Sequence, residues 1–168
     1  MRSSYIISLI IILASFLISI YFYPQMPDKL ASHWNAQGEV NGYLSKGIGL
    51  FLMPVISIIL LAVFVIVPKI DPLRANIEKF REYFDTFVLG IVIFMFYIYM
   101  LTIMWNLGVT FNMTLLIIPP IGLIFFCAGV LAENSEMNWF IGIRTPWTLS
   151  DERVWKKTNR LEIGRAHV

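Results

Sequence analysis

The chain reads as an all-α membrane protein that crosses the bilayer four times within the 168 residues present. Three observations predict this. Hydrophobic residues make up 58% of the sequence and charged residues only 14%, whereas a soluble domain usually carries about a quarter charged residues. Four apolar runs, at about 5–23, 48–67, 87–107 and 115–132, are each long enough for a helix to cross a hydrocarbon core of about 30 Å, and none contains Asp, Glu, Lys, Arg or His. Finally, the basic residues alternate between the segments joining these runs. Ten of them fall at the N-terminus, in the second connection and in the segment after the fourth run, against two in the first connection. By the positive-inside rule the N-terminus is then cytoplasmic and the first connection lies outside.

The first run resembles a secretory signal, but its apolar core is too long and it ends in "YFYPQMP" without a small-residue cleavage site, so a retained anchor helix is predicted. Its outer end carries Tyr21 and Tyr23, residues suited to the membrane interface. Pro24 and Pro27 stop that helix, and Gly38, Asn41-Gly42 and Gly47 supply turn positions, so the outer loop 24–46 is expected to be structured. Within it His33, Trp34 and Asn35 form either a recognition patch or an interfacial anchor with polar neighbours. Pro54 in the second run and Pro119-Pro120 in the fourth remove backbone donors, which bends such helices.

The inner connection, "PKIDPLRANIEKFREYFD", spaces Leu73, Ile77, Phe80 and Phe84 along one helical face and charges along the others. An amphipathic helix over 69–85 lying on the cytoplasmic leaflet is predicted. Asn106 and Asn112 flank the short turn before the fourth run. After that run comes 138–160, "NWFIGIRTPWTLSDERVWKKTNR", with three of the five tryptophans. Trp139 and Phe140 suit the interface, and Arg153, Lys156, Lys157 and Arg160 suit anionic headgroups. Thr148 or Ser150 is expected to cap a short helix there. Anchoring needs Arg and Trp but not Gly142, Thr145 and Pro146 between them, so Gly142 to Trp147 is the stretch to inspect for a site.

Several function classes find no support. The lone Cys127 lies in an apolar run, which leaves no disulfide framework, and His33 has no ligand cluster around it, so no metal site is expected. A formal charge of +2 argues no nucleic-acid partner. No nucleophile elbow, zincin, phosphate-loop or dinucleotide motif is present, so neither catalysis nor a cofactor is expected.

The outer "HWNAQGEVNGY" through Lys46 and the inner "NWFIGIRTPWTLSDERVWKKTNR" together resemble the two signatures of the SdpI family of bacterial integral membrane proteins, whose N-terminal part is a domain of unknown function. The resemblance implies a plasma-membrane protein giving immunity to, or sensing, a secreted antimicrobial peptide toxin, and signalling by holding a cytoplasmic regulator protein at the membrane. Carried over, the outer recognition set is His33, Trp34, Asn35, Gly38, Gly42 and Lys46. The inner set is Gly142, Arg144, Thr145, Pro146, Trp147, Thr148 and Trp155. Where the family tends to carry Asp before the glycine, this chain has Asn41. The resemblance also implies two further spans, so the four seen are expected to be the first of six. The expected organisation is a two-span domain at 1–68, the linker helix at 69–85, a second two-span region at 86–161 and a non-native tail at 162–168, "EIGRAHV". Two other readings stay open: a small transporter or permease-like component, disfavoured by spans without ionisable residues, and a non-catalytic membrane scaffold.

Overall fold

The computed structural model describes residues 3–161; Arg2 and the expected tail Glu162–Val168, with Arg165 and His167, lie outside the described residues. Four long helices are apolar enough to cross a membrane. They are α1 (Ser3–Phe22), α2 (Lys46–Ile70), α4 (Arg81–Asn106) and α5 (Met113–Asn134), with short helices α3 (Arg74–Lys79) and α6 (Glu152–Leu161). The chain is a multi-pass membrane protein. Helices α2 and α5 run through Pro54, Pro68, Pro119 and Pro120, tolerable where the freed carbonyls are met by neighbouring groups.

Helix α4 is the centre, packed against α1, α2 and α5. On α1 the buried face is Tyr5, Ser8, Ile12, Ser15 and Ser19, spaced three and four residues apart in turn. Small side chains at such a seam let helix backbones approach closely, which drives association in lipid where the hydrophobic effect is weak. Ser8 and Ser15 turn their hydroxyls back onto the carbonyls of Ser4 and Ile11, so no polar group is left bare. Ser19 donates to the Leu50 carbonyl at 2.8 Å, and the Tyr99 hydroxyl donates to the Ser15 carbonyl at 3.0 Å, joining α1, α2 and α4 through buried polar contacts.

Three findings sharpen or correct the expectations. The outer loop is structured as expected, and its structure is an antiparallel hairpin of β1 (Lys29–Trp34) and β2 (Val40–Ser45), a small β element in an otherwise helical chain. The amphipathic helix predicted over 69–85 is broken. Asp71 ends α2, α3 has six residues, and Phe80 sits outside helical geometry at φ −118, ψ 22 before α4 begins. Its apolar positions Ile77, Phe80 and Phe84 do share a face, but that face is buried in the bundle core with Leu61, Val88 and Val92 instead of resting on the leaflet. Third, α4 starts a turn and a half earlier than hydropathy suggests and so includes Arg81 and Asp85. These charges are accommodated because they pair: Arg81 Nε donates to Asp85 Oδ1 at 2.8 Å, Arg81 Nη2 to the Tyr5 hydroxyl at 2.9 Å, and that hydroxyl to Asp85 at 2.8 Å.

A second core cluster of Met26, Leu30, Leu50, Tyr99 and Ile103 packs under the hairpin. The bundle therefore has two differentiated ends. One holds the hairpin and the α4–α5 turn; the other holds the α2–α4 connection and the segment after α5.

Candidate functional site

At the hairpin end, the strands pair Ala31 with Tyr43, then His33 with Gly42, then Trp34 with Val40, so each strand carries one residue out of register. Such irregularities re-aim side chains. Here they set His33 Nδ1 2.5 Å from Asn41 Oδ1, within hydrogen-bonding distance. Gly42 is required by this packing, since a Cβ there would lie 2.8 Å from the His33 Cβ. Asn35 builds the tip: its Oδ1 accepts from the amides of Gln37 at 3.0 Å and Glu39 at 2.9 Å, and its Nδ2 donates to the Glu39 carboxylate at 3.0 Å. Gly38 turns there with φ 82, beneath the Asn112 side chain.

The hairpin is clamped to the bundle. Asn106 accepts from the Ala31 amide at 2.8 Å and donates to the Ala31 carbonyl at 3.0 Å, while Asn112 donates to the Gln37 carbonyl at 3.1 Å and caps α5 through the Leu115 amide. Thr114 donates to the Asn35 carbonyl. Lys46 sits at the other end of the hairpin, 3.7 Å from Asp28 and over the Tyr23 ring, and so does not join His33, Trp34 and Asn35. Those three form the roof of a cavity of about 450 Å³ whose walls are Met53 on α2, Ile98 on α4 and Met113 and Ile117 on α5. This is a volume typical of ligand pockets. Trp34 stacks edge-on against Trp105, and its indole N–H is buried with no partner among the described residues.

At the opposite end, Asn138 folds its own segment, accepting from the amides of Phe140 and Ile141 and donating to the carbonyls of Glu136 and Ile141. Asp71, buried at the end of α2, accepts from the Leu73 and Trp139 amides, and Asn76 donates to the Met137 carbonyl. Gly142 adopts φ 94 against Asn159, whose Oδ1 accepts from the Ile143 amide at 2.8 Å. Thr145 and Thr148 lock each other: the Thr148 hydroxyl accepts from the Thr145 amide at 2.7 Å and donates to the Ile143 carbonyl at 3.0 Å. Trp155 is fully buried, its indole donating to the Ser135 carbonyl. Helix α6 is capped neither by Thr148 nor by Ser150. Asp151 accepts from the Arg153 and Val154 amides, because Thr148 is already consumed by the turn. The Arg153 guanidinium beside it, then the Arg153 amide, hold the Asp151 carboxyl below its ordinary value of 3.8.

The inner set thus divides. Gly142, Thr145, Thr148 and Trp155 shape the turn from within, while Arg144, Pro146 and Trp147 are presented outward, with Trp147 63% exposed. Sequence reasoning assigned no role to Asn106, Asn112, Asp71, Asn138 or Asn159. The two asparagines flanking the short turn were the one visible signal.

Comparison with known proteins follows the same two ends. The profile of the domain of unknown function DUF1648 matches residues 10–58, covering most of α1, the hairpin and the first half of α2, and that of the SdpI/YfhL protein family matches residues 134–162, covering the inner turn and α6. Immunity protein SdpI of Bacillus subtilis (strain 168) is 30% identical over 155 residues, which cover 92% of this chain and 72% of that protein. No solved structure matches the chain. With sequence likeness running from the first helix through the inner turn, the chain belongs to the SdpI family of membrane proteins.

Proposed function

We propose that the protein gives immunity to, or senses, a secreted membrane-active peptide that engages the hairpin end, which faces outward, and that the inner turn presents Arg144, Pro146 and Trp147 to a regulator protein in the cytoplasm. The observation that carries this reading is the hairpin itself: Asn106, Asn112 and Thr114 fasten it over an apolar cavity, with His33 and Trp34 in the roof. A preformed polar roof over an apolar pocket suits an amphipathic peptide, because little ordering entropy remains to be lost on binding. Kinship with an immunity protein supports the same reading.

The test is protection. Cells sensitive to a co-encoded secreted peptide are expected to survive when they express the protein, and Trp34→Ala and His33→Ala are expected to remove survival at unchanged amounts in the membrane. Arg144→Ala and Trp147→Ala, both at exposed positions, are expected to keep protection and lose capture of the regulator. Survival equal to that of cells without the protein refutes the reading.

A further inference from the structure

Away from both ends' motifs, two adjoining cavities lie along α1 and α2. One, of about 490 Å³, is an apolar groove between Tyr5 and Leu9 on α1 and Ile58, Ala62 and Val65 on α2. The other, of about 420 Å³, is a basic cup formed where α2 ends, lined by Lys69, Arg74, Glu78 and Arg81. Lys69 and Arg81 line both, so the groove and the cup adjoin at these two residues. Arg81 is already held by Asp85 and Glu78, but Lys69 and Arg74 make no ion pair among the described residues.

We propose that this joined site binds one anionic glycerophospholipid, its phosphodiester on Lys69 and Arg74 and an acyl chain in the groove. Length favours a lipid over a free anion. From Lys69 back to Ile58 is about 16 Å along α2 at about 1.5 Å per residue, close to half of a hydrocarbon core of about 30 Å. The groove therefore runs from headgroup depth to the bilayer centre, the reach of an acyl chain in one leaflet. Charge favours an anionic over a zwitterionic head: two unpaired cations at the mouth of a site between membrane helices attract net negative charge, and a choline group beside them would be repelled. Lys69 lies in the last turn of α2, where its stem can follow the helix while its ammonium reaches the interface.

The experiment takes the whole protein, reconstituted in vesicles of equal phosphatidylglycerol and phosphatidylcholine, released into mild detergent and weighed with its retained lipids by native mass spectrometry. One phosphatidylglycerol per chain is expected to stay bound in preference to phosphatidylcholine. The Lys69→Gln/Arg74→Gln pair, on exposed side chains, is expected to reduce that retention about tenfold with helicity unchanged. Ala62→Phe fills the groove while leaving both cations and is expected to do the same. Equal retention of the two lipids, or retention indifferent to the charge pair, overturns the proposal. So does displacement by inorganic phosphate together with indifference to Ala62→Phe, which marks the cup as a free-anion site.

Discussion

At Gly142 the backbone conformation and the packing make the same demand. Its φ of 94 is one that side-chain-bearing residues rarely adopt, and a Cβ there would lie 2.6 Å from Asn159 Oδ1, the atom that accepts from Ile143. Gly142→Ala is therefore expected to destabilise the inner turn by about 1–3 kcal/mol, seen as lower thermal stability and faster amide exchange at Ile143. Gly90 lies inside α4 with open space where a Cβ would be, so Gly90→Ala should be neutral or slightly stabilising in the same assay. An equal loss from both substitutions would show that the turn gains nothing from glycine. The unusual string around Gly142 was legible in the sequence, but its cause was not. Asn138 and Asn159, which hold the turn from inside, belong to no periodic pattern, and a lone asparagine in a polar stretch reads as solvated surface. Likewise the cap of α6 was expected from Thr148 or Ser150 and comes from Asp151, because which of three neighbouring polar residues caps depends on what Thr148 already bonds.

Among the elements, those defined by hydropathy were legible to within a few residues, save the start of α4, and those defined by tertiary contact were not. The four spans follow from composition over about twenty residues, whereas the hairpin strands have six residues each and are read only once Leu30 and Ala31 are seen buried on the bundle. Similarly, the apolar stripe through Ile77, Phe80 and Phe84 gives the right face but not its partner; membrane surface and protein core look alike to a periodicity. One tie that holds the hairpin is the two-pronged bond from Asn106 to Ala31. Asn106→Ala would strip partners from a strand amide and carbonyl at once, and each such group left unsatisfied costs about 1–3 kcal/mol. The expected outcome is a hairpin that exchanges its amides and is cut by protease in 29–45 while the spans stay protected. Protection of the hairpin equal to the parent protein would mean that Leu30 packing and the bonds from Asn112 and Thr114 dock it without Asn106.

For the molecule as a whole, the fold turns a statistical argument about charge into a geometric one. The hairpin is bonded to the α4–α5 turn through Asn106 and Asn112, and the α2–α4 connection is bonded to the segment after α5 through Asp71 and Asn76. Segments that alternate in sequence are thus gathered into two ends, and no connection strays from its own. Among the described residues one end carries Lys29 and Lys46, and the other carries Lys69, Arg74, Lys79, Arg81, Arg144, Arg153, Lys156, Lys157 and Arg160. With the basic residues gathered at one end of the bundle, the positive-inside rule applies to the bundle as a whole and predicts that the richer end is cytoplasmic. The expected orientation has the hairpin outside. Cys127 is the chain's only cysteine, so its replacement by serine gives a background for site-directed labelling. On that background an impermeant maleimide should label Ala36→Cys in intact cells and Trp147→Cys only after permeabilisation, both positions being exposed. The reverse pattern would put the hairpin in the cytoplasm, where a secreted peptide could not meet it, and would remove the outer half of the proposed function along with the orientation.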